Sequence, residues 1–177
     1  MAARKVAQVM LRLTHAVSLV ALAPALLIVL TVSVANAQTP PLYGPSISLE
    51  DARKAAAAAI AEAKKSGFLM AVAIADPSGM LVYFEKMDHT QNGSIAVAIG
   101  KARTSALFKR PTKAFQDNIA AGGEGLRTLA VEGVIPIEGG LPLVIDGKIV
   151  GGIGVSGGTP AQDGQCAKPG ADAVGKP

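Results

Sequence analysis

Residues 151–166 read GGIGVSGGTPAQDGQC, and what these glycines are for decides the fold. Residues 152–157 satisfy G-x-G-x-x-G, the phosphate-binding turn of a dinucleotide-binding βαβ unit. That unit needs a strand, the glycine turn, a helix and a second parallel strand, with an acid about 20 residues further on. Only 20 residues follow Gly157, and none of them reads as a strand, so the unit cannot close. No G-x-x-x-x-G-K-[ST] pattern occurs either. Instead Ile149, Val150, Ile153 and Val155 alternate with Gly151, Gly152 and Gly154 inside one strand. A strand glycine costs about 0.5–1 kcal/mol relative to alanine, and it leaves room for another backbone or a flat ligand. Gly157 and Gly158 precede Thr159-Pro160-Ala161-Gln162, which supplies an N-cap, a first-turn proline and a capping-box glutamine. Free N–H groups at such a helix start suit a carboxylate or a propionate.

Working outward, Leu141–Ile145 and Lys148–Val155 flank Asp146-Gly147, which suits a type I′ hairpin. Val134–Ile137 reads as a short strand broken by Gly139-Gly140. Further upstream, the apolar runs 68–75 and 80–87 flank Asp76-Pro77-Ser78-Gly79, a second hairpin. Ser48 opens a helix to about Ser66, with Leu49, Ala52, Ala56, Ile60 and Ala63 on one face, and Gly67 ends it. Gly93 to Phe108 is a second helix with Ile95, Ala98, Ile99, Ala102 and Ala106 as its buried stripe. Pro111 stops it. Thr112 caps a short helix over 113–121 that ends in Gly122-Gly123-Glu124-Gly125. The final helix is limited or bent by Pro169-Gly170. The order α-β-β-α-(α)-β-β-β-α gives an α+β domain with an antiparallel five-stranded sheet, not a doubly wound fold.

At the N-terminus, Arg4, Lys5 and Arg12 precede an uncharged apolar stretch from Ala16 to Ala35, followed by the small-x-small site Ala35-Asn36-Ala37. Residues 1–37 therefore read as an export signal cut before Gln38. The stretch is about 20 residues long, which leaves an uncleaved anchor as the rival reading. A periplasmic or secreted protein follows, with no membrane association once the signal is cut. Three of the 17 basic residues and none of the 13 acidic ones lie in this leader, so the remainder is near neutral. No basic run with interleaved aromatics marks a nucleic-acid partner. Residues 38–47 are a Pro-rich lead-in, extended and mobile, and 48–177 form one domain. Cys166, the one cysteine, has no partner for an internal disulfide, so packing, with or without help from oligomerisation, holds the fold.

Outside the leader the chain has one histidine, His89, which excludes His-rich zinc sites and H-E-x-x-H proteases. It is either a solvated loop residue or a metal or haem ligand, and no G-x-S-x-G elbow accompanies it. Cys166 follows Asp163 by three residues. It is either a small residue packed on the sheet or a thiolate needing a nearby base or cation. Lys101, Arg103, Thr104 and Arg110, with Lys109 and Lys113, form either a solvated basic face or a site for an anionic small molecule.

The blocks GSIAVAIGKART (93–104), RPTK (110–113), EGGLPL (138–143) and GIGVSGGTPAQDGQCA (152–167) resemble the GlcG/HbpS-like haem-binding family. Its module also occurs at the C-terminus of PduO-type corrinoid adenosyltransferases. The resemblance covers about residues 46–172. It implies a profilin-like antiparallel sheet flanked by helices, assembly as a homo-oligomer, and haem binding in some members. Exported relatives are haem carriers or redox-linked sensors, and cytoplasmic ones occur beside glycolate or diol catabolism. The threonine implicated in iron contact in the secreted branch matches Thr104, with Thr112 as the alternative. The PduO branch uses a first-helix histidine, which this chain lacks. Gly164, where an acid is common, and Lys168-Pro169-Gly170 depart from the pattern.

The expectation is an exported, oligomeric protein binding haem, a related tetrapyrrole or another small anion. Its site would use Lys101, Arg103, Thr104, Thr112, Gly139, Gly140 and Gly157, with His89 as a candidate metal ligand and no catalytic residue assigned. The rivals are an enzyme or accessory protein of small organic acid catabolism using Cys166 or Asp163, and an assembly module binding no ligand.

Overall fold

The structure is a computed structural model that describes residues 40–174. The leader over 1–37 and the site at which it would be cut lie outside the described residues. Helix α1 spans Leu49–Ser66 and starts as its sequence dictates: the Ser48 hydroxyl accepts the Asp51 N–H at 3.0 Å. Gly67, at φ 71°, closes it in the left-handed conformation that favours glycine. Ala52, Ala56, Ile60 and Ala63 are buried as the spacing predicts, joined by Ala55 and Ala59. Leu49, in the first turn, stays about half exposed.

Strands β1 (Ala71–Ala75) and β2 (Leu81–Lys86) form the first hairpin. The Asp76 carboxylate shapes its turn by accepting the Ser78 and Met80 N–H groups, both at 2.9 Å. Helix α2 (Ser94–Phe108) and helix α3 (Thr112–Ala120) follow, then a 3₁₀ segment over Gly123–Ala130. Strands β3 (Gly140–Ile145) and β4 (Lys148–Ser156) form the second hairpin. Asp146 and Gly147, with φ 49° and 71°, give it the turn expected of Asp-Gly. Helix α4 (Pro160–Asp172) carries the reciprocal Thr159/Gln162 capping box and continues through Pro169 to Asp172. Gly170 lies flat against Ile153 and the Ala55 carbonyl, where α4 crosses α1.

The sheet is antiparallel with order β2-β1-β4-β3. It has four strands, not the five expected, because Val134–Ile137 is irregular. The Ile135 N–H is taken by the Thr104 hydroxyl at 2.9 Å, Pro136 has no N–H, and the Glu138 N–H goes to the Gln116 side chain at 2.9 Å. The Val134 N–H turns back to the Val131 carbonyl at 3.4 Å, and with Ile135 and Glu138 held by helix side chains the segment runs as irregular chain rather than as a fifth strand.

Helices α1 and α4 cover one face of the sheet, enclosing Val72, Ile74, Ile153, Val155 and Cys166. Helix α2 covers the other, where Ala98 and Ala102 meet Ala71, Ala73 and Ala75. The lead-in is extended, but it is pinned rather than mobile over residues 42–47. Gly44 and Ile47 donate to the Ile149 and Val150 carbonyls at 2.8 and 2.9 Å, and Ile149 donates to Leu42 at 2.9 Å. The Tyr43 hydroxyl donates to the Leu107 carbonyl at 2.7 Å, tying down the end of α2, while Lys109 sits 4.0 Å over its ring.

Candidate functional site

The space made by the β4 glycines is already occupied. A Cβ on Gly154 would run into the Ala98 carbonyl and the Ala102 amide, and one on Gly152 into the Ala102 carbonyl and the Ser105 hydroxyl. These two glycines let the α2 backbone settle directly onto the sheet, which brings Ala98 and Ala102 to full burial. A flat ligand has no entry there. The adjoining anion cradle is likewise filled from within. The Gly158 N–H at the start of α4 donates to Asp163 Oδ1 at 2.9 Å, so the carboxylate it holds belongs to the same helix.

Lys101 completes this arrangement. It is fully buried, and its Nζ donates to Asp163 Oδ2 at 2.7 Å and to the Val155 carbonyl at 3.1 Å. The cation expected to meet a ligand carboxylate therefore meets the carboxylate of Asp163, across 62 residues of chain. Burial pulls both groups toward their neutral forms, lowering Lys101 and raising Asp163 from their ordinary values. The ion pair and the Gly158 hydrogen bond oppose that pull. Gly139, at φ 122°, packs on this pair, and a side chain there would strike Asp163, the Val155 carbonyl and Lys101 Nζ.

The two threonines matched to an iron contact are buried and engaged. Thr104 holds Ile135, and the Thr112 hydroxyl accepts the Gly140 N–H at 2.8 Å. Lys101, Thr104, Thr112, Gly139 and Gly140 thus gather around one knot that fixes the 133–140 segment against α2 and α3. Arg103 is exposed and lies elsewhere, its stem against Gly79; two residues on from Lys101 in a helix, it faces roughly the opposite way. Gly157 packs against Leu69 and Met70. Cys166 is buried in the core, and burial, with Glu62 and Asp163 nearby, pushes its thiol up to about 11. It stays protonated at neutral pH and inert as a nucleophile. No buried polar side-chain atom among the described residues lacks a partner.

Chemistry directed at a ligand is therefore found on the surface. His89 is exposed at φ 64° in the turn after β2, beside a depression of about 400 Å³. Lys64, Leu69, Glu85, Lys86, Met87 and Asp88 line it too, so two ammonium groups and two carboxylates share it. The lining is balanced in charge and its apolar surface is limited to Leu69 and Met87, so it does not by itself fit a dianionic porphyrin. The sequence reading missed two things: Asp163 as the partner of Lys101, and Lys64 and Lys86 as neighbours of His89. One signal for the first was available, since a lone lysine between Gly100 and Ala102 in an otherwise apolar run must find a buried counter-charge.

Helices on both faces of a four-stranded antiparallel sheet define an α+β class. The chain belongs to the HbpS-like family, whose model, described as haem degrading protein HbpS-like, matches residues 47–172. It is 36% identical to the protein GlcG of Escherichia coli K12 over 95 residues, covering 54% of this chain and 69% of that protein. Streptomyces reticuli HbpS, solved as a double mutant, superimposes with a TM-score of 0.69 at 30% identity, covering 75% of this chain and 90% of that one. The crystal structure of a PduOC:heme complex matches with a TM-score of 0.66 at 27% identity, covering 73% and 95%.

Proposed function

We propose that this protein is an exported, homo-oligomeric binder of haem or a related tetrapyrrole. The observation that carries the reading is the likeness, in sequence and fold, to a chain crystallised as a heme complex, within a family described by haem chemistry. The space beside the β4 glycines is filled by α2, which directs the ligand to the surface or to a junction between copies. Haem, when bound, would supply a redox-active, ligand-exchanging iron. The residues of the chain would hold its carboxylates and control the access of other ligands to the iron. An enzymatic reading through Cys166 or Asp163 gains nothing from the geometry, since the first is a buried thiol and the second is locked to Lys101. Titrating the purified protein with ferric haemin tests the proposal. A saturable Soret change at about one haemin per chain or per dimer is the expected result, and its absence refutes the reading. Light scattering and cell fractionation test oligomer and export.

A further inference from the structure

We infer that residues 121–138 form a strap that opens as a unit from the face of α2 turned away from the sheet, while the rest of the domain stays folded. Ala98 and Ala102 set α2 down on β4 at Gly154. Gly100 and Thr104, two residues further on from each, lie on the opposite side of that helix. The strap is what covers them. Ile135 sits directly on Gly100, where a Cβ would run into its side chain, and the Ile135 N–H donates to the Thr104 hydroxyl at 2.9 Å. Beneath it Thr104 is fully buried.

This cover is lightly held. None of residues 121–138 is buried, and Leu126, Leu129, Val131 and Ile137 are exposed. Its internal backbone bonds are local turns, such as Gly125 N–H to the Gly122 carbonyl at 3.0 Å and Val131 N–H to the Thr128 carbonyl at 3.2 Å. Among the named elements the 3₁₀ segment packs on α3 alone, with Gly125 flat against the Asn118 carbonyl. The far end is latched by side chains: Thr104 on Ile135 and Gln116 on Glu138, both at 2.9 Å, with a longer contact from the Thr104 hydroxyl to the Gly133 carbonyl at 3.5 Å. Gly122 and Gly123, at φ 70° and 53°, begin the strap, and a Cβ on either would meet nothing within 4 Å, so no packing fixes that hinge. Strand β4, by contrast, is buried from Ile149 to Ser156 and paired on both sides. A segment with few buried contacts and few bonds to its surroundings opens locally, at a free energy well below that of global unfolding. Opening bares the Thr104 hydroxyl and the recess at Gly100, and it leaves the seat of α2 on Gly152 and Gly154 undisturbed.

The test is native-state hydrogen exchange of the purified protein, Thr104→Val and Ile153→Val, read residue by residue as urea rises below the unfolding transition. In the parent the Ile135 and Glu138 amides should exchange about a hundredfold or more faster than those of β4, by an opening that urea does not promote. Thr104→Val removes a latch and should speed exchange in the strap about tenfold or more. Ile153→Val trims the core on the other side of the sheet; it should speed exchange in β4 and leave the strap as it was. Trypsin supplies a second readout. Within residues 40–174 of the folded parent its first cut should fall after Arg127, whose side chain is largely exposed, at the same rate in Ile153→Val. Exchange of Ile135 and Glu138 only in the urea-dependent transition that carries β4 overturns the inference. So does a strap that speeds up together with β4 in Ile153→Val, or a first tryptic cut outside residues 121–138.

Discussion

The Lys101–Asp163 pair gives the sharpest test of how the domain is held together. Lys101→Met keeps the stem and removes the ammonium. Asp163 is then left buried as a carboxylate with the Gly158 N–H as its remaining hydrogen bond, and the Val155 carbonyl loses its Lys101 donor. Breaking a buried pair by removing one partner costs about 3–5 kcal/mol, most of it the uncompensated charge. Asp163→Asn strands the ammonium instead and should cost a similar amount. In the double variant neither charge remains, and the amide oxygen introduced by Asp163→Asn can still accept the Gly158 N–H, so most of the loss should be recovered. With the double near the parent, the cycle should show a coupling close to the sum of the two single losses, about 6 kcal/mol or more. For a domain of this size 1 kcal/mol moves Tm by about 4 °C, so each single variant should melt about 12–20 °C lower and the double near the parent. The pH dependence has a definite sign. In Lys101→Met the ion pair is gone, and burial, opposed only by the backbone N–H groups of Gly157 and Gly158, raises the folded pKa of Asp163 above the unfolded one. Stability is then full below the unfolded value and is lost as pH rises through the folded one. The variant should approach the parent on acidification from pH 7 to 5. Additive single effects, or singles within about 1 kcal/mol of the parent, would show that the pair is not the strut described.

Gly154→Ala should be among the most damaging single changes, costing about 3 kcal/mol or more because the added methyl meets backbone on α2 that cannot step aside; urea unfolding reads it. Thr104→Val leaves the Ile135 N–H without its acceptor, a loss of about 1–3 kcal/mol, with faster amide exchange confined first to residues 133–138. The raised Cys166 thiol makes the fold lose stability as pH climbs from its ordinary 9.0 to about 11. The unfolded chain ionises first over that window and the loss reaches about 2–3 kcal/mol. Cys166→Ala should flatten that alkaline limb, and iodoacetamide should leave the native thiol unmodified at pH 8.

The division between what could be read and what could not is physical. Caps, turns and helix stripes are local features, so Ser48, the Thr159/Gln162 box, Asp146-Gly147 and the alanine faces of α1 and α2 are legible from neighbours in the chain, whereas Thr112, expected to cap α3, lies inside that helix with its hydroxyl on the Gly140 N–H. The same locality rejects a nucleotide fold for GIGVSG. The putting together of distant segments is not local. The acceptor for the Ile135 N–H lies 31 residues away, and it makes an apolar run that reads as a strand into a side-chain-bound segment. The glycines of β4 announce room but not its occupant; only the packing shows that α2 fills it. Lys101 announces a charge in an apolar helix, and only the fold supplies Asp163. His89 is legible from the sequence as a candidate ligand. That Lys64, at the end of α1, and Lys86, in β2, border the same depression was decided by the tertiary structure, because side chains far apart in sequence share a surface only after the sheet has formed.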